Sequence, residues 1–228
     1  MRQAPQRARP GQSLVEIGLL LALIAAVAVV GLGVTGTSIR TVLCNVGRTF
    51  GGGGSCGTLF SDDFTNLKAW QIAAGTWASV DGVLTGGPSE GRIFTPLAAN
   101  DYVIDVDTTH LAQGNGYGVF FRIQDFGKIN GYSFQYDPGL GGFAFRKWVG
   151  GSEISAPLAF VKAPAGYDWY AANRKLQLTV SGDTFTALVD GQAVLTTKDS
   201  TYAAGGMGFR TWDSTKASFD NLTVRAVP

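Results

Sequence analysis

Glu16 stands at the lip of an apolar run, Ile17–Val34, in which no side chain carries charge. A single carboxylate beside a membrane-length segment is costly unless a positive group meets it, so the partner of Glu16 is the first chemical question the chain poses. Elsewhere, acids working in pairs could hydrolyse a glycoside, one as proton donor and one as nucleophile. After residue 60 the only glutamates are Glu90 and Glu153, and the nearest acid pair is Asp105-x-Asp107, which reads as a solvated strand face. With a single histidine, His110, and no evident nucleophile–base pair, no enzyme is expected. Arg122, Arg146, Arg210, Trp148 and Trp212 offer a different chemistry. Indole faces stack on sugar rings and guanidinium groups bind hydroxyls, so these residues are candidate glycan-binding groups if the fold gathers them on one surface. The competing reading is arginine stacked on tryptophan as the cover of a sheet face or as packing against a neighbouring subunit.

Two kinds of element must position these residues. Ile17–Val34 has about the length needed to cross a hydrocarbon core of roughly 30 Å as a helix. Arg2, Arg7 and Arg9 precede it and no acid does, which places the N-terminus inside and the rest of the chain outside. An ordinary secretory signal peptide and an uncleaved membrane anchor both fit this charge pattern; neither accounts for Glu16 or for Gly11 just ahead of the run. Cys44 and Cys56 are the only thiols, and an even count in an exported chain reads as a disulfide across a loop holding Gly51–Gly54. The whole chain carries 18 basic and 17 acidic residues; without residues 1–11 and their three arginines the balance is 15 to 17. Nothing in it suggests the clustered basic face that nucleic acid requires.

The stretch Gly11-Gln12-Ser13-Leu14-Val15-Glu16 resembles the class III signals of type IV pilins, especially the Flp pilins of tight-adherence systems and some archaeal pilins. The resemblance implies cleavage between Gly11 and Gln12 by a prepilin peptidase. It also implies a retained helix over residues 12–46 and pairing of Glu16 with the freed amine at Gln12 of a neighbouring subunit. The implied partners are further copies of the chain in a homopolymeric filament and the inner-membrane pilus assembly machinery. The implied location is the cytoplasmic membrane as precursor and then an extracellular pilus serving adhesion or motility. A membrane-anchored cell-surface lectin is the alternative.

From Phe60 onward the pattern changes to period two with glycine punctuation, which predicts strands and tight turns. Val103–Asp107, Gly118–Arg122, Tyr132–Tyr136, Phe143–Arg146, Leu176–Val180, Thr184–Val189 and Ser218–Val224 read as strands, and Asp81-Gly82, Gly182-Asp183 and Asp190-Gly191 as turns. The segments Phe60-Ser61-Asp62-Asp63-Phe64, Gly116–Arg122, Gly205–Arg210 and Phe219-Asp220-Asn221-Leu222 resemble the concanavalin A-like, laminin-G-like jelly rolls. The expected fold class is therefore a long pilin-type α-helix followed, after a leader (1–11), the helix (12–46) and a glycine-rich disulfide linker (47–59), by an all-β antiparallel jelly-roll sandwich over residues 60–228. Glycosidases of that fold use Glu-x-Asp-x-Glu on one strand, which is missing here. Its calcium-binding members imply a Ca2+ site built from Asp220 on the last strand with Asp62 and Asp63 on the first. Strand parity places Val119, Phe121, Ile123, Tyr132, Phe134, Tyr136, Phe143, Phe145, Met207 and Phe209 in the core, and Arg122, Gln124, Gln135, Arg146, Trp148, Arg210 and Trp212 on the opposite face, where surface glycans could bind.

Overall fold

The computed structural model describes residues 57–170 and 173–227. In chain order their strands are β1 (Thr58–Asp62), β2 (Gln71–Ala74), β3 (Trp77–Val80), β4 (Val83–Gly86), β5 (Gly91–Thr95), β6 (Tyr102–Gln113), β7 (Tyr117–Ile123) and β8 (Gly131–Asp137). There follow β9 (Gly142–Val149), β10 (Ser152–Glu153), β11 (Ala159–Lys162), β12 (Arg174–Ser181), β13 (Thr184–Val189), β14 (Gln192–Lys198), β15 (Gly206–Thr211) and β16 (Lys216–Ala226). They form two antiparallel sheets. Sheet A runs β14-β13-β12-β6-β16-β4-β3 with β1 also on β16; sheet B runs β10-β9-β8-β7-β15-β5-β2 with β11 on β9. The chain passes from sheet B to sheet A and back at β5–β6–β7, which gives the crossing connections of a jelly roll.

The turns form where the sequence supplies residues that tolerate positive φ. Asp81-Gly82 (φ 51° and 78°) and Asp190-Gly191 (φ 51° and 77°) are the two-residue hairpin turns whose twist matches the flanking strands. Val80 pairs with Val83 across the first, and Val189 with Gln192 across the second.

The inner faces interdigitate through large apolar side chains. Phe209 of β15 stacks on Phe219 of β16 at 4.2 Å, and Phe121 of β7 meets Phe185 of β13 edge-on at 4.9 Å. Val119, Tyr132, Phe134 and Phe209 lie in this core, as their alternation demands.

Alternation breaks at one place that matters for the site. In β15–β7, Gly208 pairs with Phe120 and Gly206 with Ile123, so β7 carries an extra residue. Arg122 sits at the irregularity with φ 52°. Such a bulge shifts every later side chain to the other face. Ile123 accordingly joins a small apolar cluster with Phe94, Phe120, Ile129 and Trp148, apart from the main core.

The expected two-part fold class is corrected. The described residues form an all-β antiparallel sandwich, contain no helix, and hold no helix long and apolar enough to cross a membrane. The predicted helix over 12–46, the leader, Gly11, Gln12, Glu16, and the cysteines Cys44 and Cys56 lie outside the described residues.

Candidate functional site

One row of residues across sheet B sets the site. Arg210 of β15 pairs with Gly118 of β7, which pairs with Gln135 of β8, which pairs with Ala144 of β9. Gly118 has no side chain to fill the space between Arg210 and Gln135; a Cβ there would lie 3.6 Å from Arg210 Cβ and 3.7 Å from the Trp212 ring. Next to Gln135, the Ser133–Arg146 and Gly131–Trp148 pairs bring Arg146 and Trp148 onto the same outward face.

Glu153, on the short edge strand β10, closes the arrangement. Its Oε2 accepts from Gln135 Nε2 at 2.8 Å and from Arg210 Nη1, and Arg146 Nε lies 3.3 Å from its Oε1. Arg146 Nε also donates to Gln135 Oε1 at 3.1 Å, and its Nη1 donates to the Ser155 carbonyl at 2.8 Å. Arg210 Nε reaches Glu90, which holds Arg92 as well (3.3 and 3.1 Å). Charge-assisted bonds of this kind fix guanidinium orientation, because a fork geometry is satisfied by few arrangements.

The two tryptophans hold Arg210 between them. Its guanidinium carbon lies 4.7 Å from the Trp148 ring and 4.8 Å from the Trp212 ring. Trp148 is only 2% exposed: Arg92 also covers its ring at 5.4 Å, Phe120 packs edge-on at 5.3 Å, and Nε1 donates to Ser133 Oγ at 3.0 Å. It supports the arginines and presents no open stacking face. Trp212, although largely buried, lines a cleft of about 320 Å³ together with Gln135, Asp137, Arg146, Glu153 and Arg210. Asp137 is buried in this cleft, and its Oδ1 accepts from Leu140 N–H at 2.8 Å. Burial pushes its carboxyl above the ordinary carboxylate range, against the Leu140 hydrogen bond and the nearby Arg146 charge.

Four of the five expected glycan-binding residues are therefore brought together. Arg122 is not among them, because the bulge turns it to the other face. It is 2% exposed, donates to the Asn100 carbonyl at 2.7 Å and the Tyr202 carbonyl at 3.2 Å, and lies 5.4 Å from the Phe185 ring of the core. Glu153 and Asp137 were missed as site residues. Asp137 shares the parity of Ser133 and Gln135 within Tyr132-Ser133-Phe134-Gln135-Tyr136-Asp137, so alternation alone places it on the outward face; Glu153 carries no such signal.

Of the three aspartates expected for Ca2+, Asp62 and Asp63 line one cleft with Asp107, and Asp220 is not among its lining residues. Asp62 pairs with the core-facing Leu222, and both its oxygens are taken, by Phe64 N–H and by Trp70 Nε1 at 2.7 Å each. Asp63 accepts from Thr65 N–H, and Asp220 from Asn221 N–H. Among the described residues no group of three or more acidic, histidine or cysteine side chains is placed to hold a metal ion. Asp105, of the Asp105-x-Asp107 pair, accepts from Gln177 and from Arg225 (2.9 Å), and Asp107 pairs with Lys175.

The sandwich is similar to solved jelly-roll structures, among them a carbohydrate-binding module. Carbohydrate-binding module CBM66 from Bacillus subtilis shares 25% identity over 71% of this chain and 98% of that one, with a TM-score of 0.60. A Bacillus subtilis protein of unknown function with a galectin-like fold matches at 16% identity, 75% and 96% coverage and a TM-score of 0.55. The exoplasmic/lumenal domain of VIP36, in its Ca2+/Man3GlcNAc-bound form, matches at 13% identity, 74% and 88% coverage and a TM-score of 0.56. No curated protein shows significant sequence similarity to the chain. The expected pilin identity is corrected on these findings: the described part of the chain is a lectin-like jelly roll. Residues 57–225 match the family described as the 3-keto-alpha-glucoside-1,2-lyase-like domain, and the chain belongs to that family.

Proposed function

We propose that this chain is a non-catalytic carbohydrate-binding protein, with its sugar site in the cleft on the outer face of sheet B. The observation that supports this most is the hydrogen-bonded set Gln135–Glu153–Arg146–Arg210, which surrounds a side-chain-free floor at Gly118 and abuts Trp212. Fixed donors and acceptors around a shallow cleft beside an indole are what a polyhydroxyl ring needs, because hydroxyl groups offer both donor and acceptor directions and lose little on leaving water if each is met. The similarity to CBM66 supports the same reading.

The non-catalytic reading is supported by the engagement of Glu153 with the arginines of the cleft. Glu153 is held in ion pairs by Arg146 and Arg210, so its oxygens are occupied within the protein. The apolar, uncharged run Ile17–Val34 supports a membrane anchor that holds the domain at the cell surface. The reading is tested by binding of the full chain to a printed glycan array, followed by calorimetry with Arg146→Ala. Saturable binding that the substitution weakens at least tenfold is expected; binding indifferent to Arg146 refutes the site.

A further inference from the structure

Glu153 and Asp137 line the same cleft in opposite electrostatic circumstances. Glu153 is in contact with both Arg146 and Arg210, and Glu90 is shared between Arg210 and Arg92. Two glutamates thus face three arginines, and Asp137 and Asp213 bring the carboxylates around the cleft to four against three guanidinium groups. Asp137 is only 6% exposed, accepts one backbone hydrogen bond through Oδ1, and makes no ion pair among the described residues. At the rim, exposed Asp213 adds another negative charge, and Asn115 Nδ2 lies 3.5 Å from its Oδ2. Gly139 keeps the approach to Asp137 clear: a Cβ there would stand 3.1 Å from Asp137 Oδ1 and 3.2 Å from Asn115 Cβ.

We propose that Asp137 is the specificity-determining residue of this cleft, accepting hydrogen bonds from ligand hydroxyls through its Oδ2, and that the cleft takes uncharged sugars and rejects glycans bearing carboxylate or sulfate. This rests on the reading of the cleft as a sugar site. Asp137 has Arg146 and Arg210 nearby but forms an ion pair with neither, so N–H and O–H donors are what its free oxygen can still take. A sugar diol supplies such donors, whereas an anionic substituent meets a cleft whose four carboxylates outnumber its three arginines. Protonation reverses the role of Asp137, since a carboxylic acid donates where a carboxylate only accepts. The charged groups facing Asp137 are Arg146 from β9, Glu153 from β10, Arg210 from β15 and Asp213 beyond β15. Because burial raises its carboxyl, acidification from neutral pH discharges it early.

The test is an array carrying neutral gluco-, manno-, galacto- and fructo-oligosaccharides beside oligogalacturonate and heparan sulfate oligosaccharides, probed at pH 7.5 with the full chain and with Asp137→Asn. The best-bound neutral glycan is then titrated between pH 8 and pH 4. Asn retains the Oδ1 acceptor for Leu140 N–H, and thermal melting checks that the variant is folded. Binding confined to neutral glycans is expected, with a loss of tenfold or more in Asp137→Asn. Wild-type affinity should fall on acidification toward that of the variant, whose own profile stays flat. Preference for the anionic glycans, or a variant with unchanged affinity and pH profile, overturns the inference alone. Binding to no glycan of either class overturns the sugar-site reading and this inference with it.

Discussion

Arg210 and Glu153, 57 residues apart in sequence, are joined by a hydrogen bond from Nη1 to Oε2 on the outer face of sheet B. Removing the carboxylate leaves Arg146, largely buried, without an answering charge and Arg210 with Glu90 alone. Glu153→Ala is expected to cost about 3 kcal/mol, the lower end for breaking a buried pair, because Glu153 retains some exposure. Urea unfolding measures it. Adding Arg210→Met should recover part of the loss; a double variant no more stable than Glu153→Ala would show that charge pairing is not the cause.

Trp148 holds up the arginines through its ring and Ser133 through its indole N–H. Trp148→Phe keeps a ring but strands the fully buried Ser133 hydroxyl. A loss of about 1–3 kcal/mol is expected in chemical unfolding. Trp148→Phe with Ser133→Ala should recover most of it, because the orphaned group is then gone.

Arg122 separates structure from binding. Arg122→Met leaves the Asn100 and Tyr202 carbonyls short of a donor inside the sandwich, at a cost of about 2–3 kcal/mol. Glycan affinity at the cleft should be unchanged. A variant that folds normally yet loses binding would return Arg122 to the site.

Asp199 accepts from Tyr132 Oη at 2.6 Å and lies 2.6 Å from Lys147 Nζ. Burial opposes its ionisation, but hydrogen bonds from Lys147, Thr201 and Tyr132 prevail and hold its carboxyl well below the usual range. A group whose folded pKa is depressed adds stability above its unfolded value, near 3.9, and that stability is lost as pH falls toward the depressed one. Lys147→Met should therefore be less stable than the wild type at pH 7, and the gap should narrow as pH falls below about 4. A gap that is the same at pH 7 and pH 3 would contradict the pairing.

Because the described residues hold no group of three acidic, histidine or cysteine side chains placed for a metal ion, a chelator should leave the melting temperature unmoved. Differential scanning with and without EDTA decides; a downward shift on chelation would restore a structural cation at the β1–β16 edge.

The strands were legible because one inner face per sheet must be apolar, and period two records that directly in Tyr132–Tyr136 or Leu176–Val180. Asp81-Gly82 and Asp190-Gly191 were equally plain, since few residue pairs adopt positive φ without strain. The grouping of Arg146, Trp148, Arg210 and Trp212 followed from parity as well. Arg122 did not: nothing in Phe120-Phe121-Arg122-Ile123 marks an extra residue, because a bulge is set by the pairing with Gly206 and Gly208 of β15. Glu153 lay in a two-residue strand too short to show any alternation.

The sequence by itself determined that the chain after Phe60 would be a sandwich of short antiparallel strands, and which side chains each strand would turn inward. Only the tertiary structure decided that Gly118 would lie between Arg210 and Gln135, that Glu153 would reach both arginines, and that Asp62 would be occupied by Trp70. The physical reason is range. Alternation and turn chemistry act over a few residues and are written locally, whereas these contacts depend on which strands become neighbours and in what register.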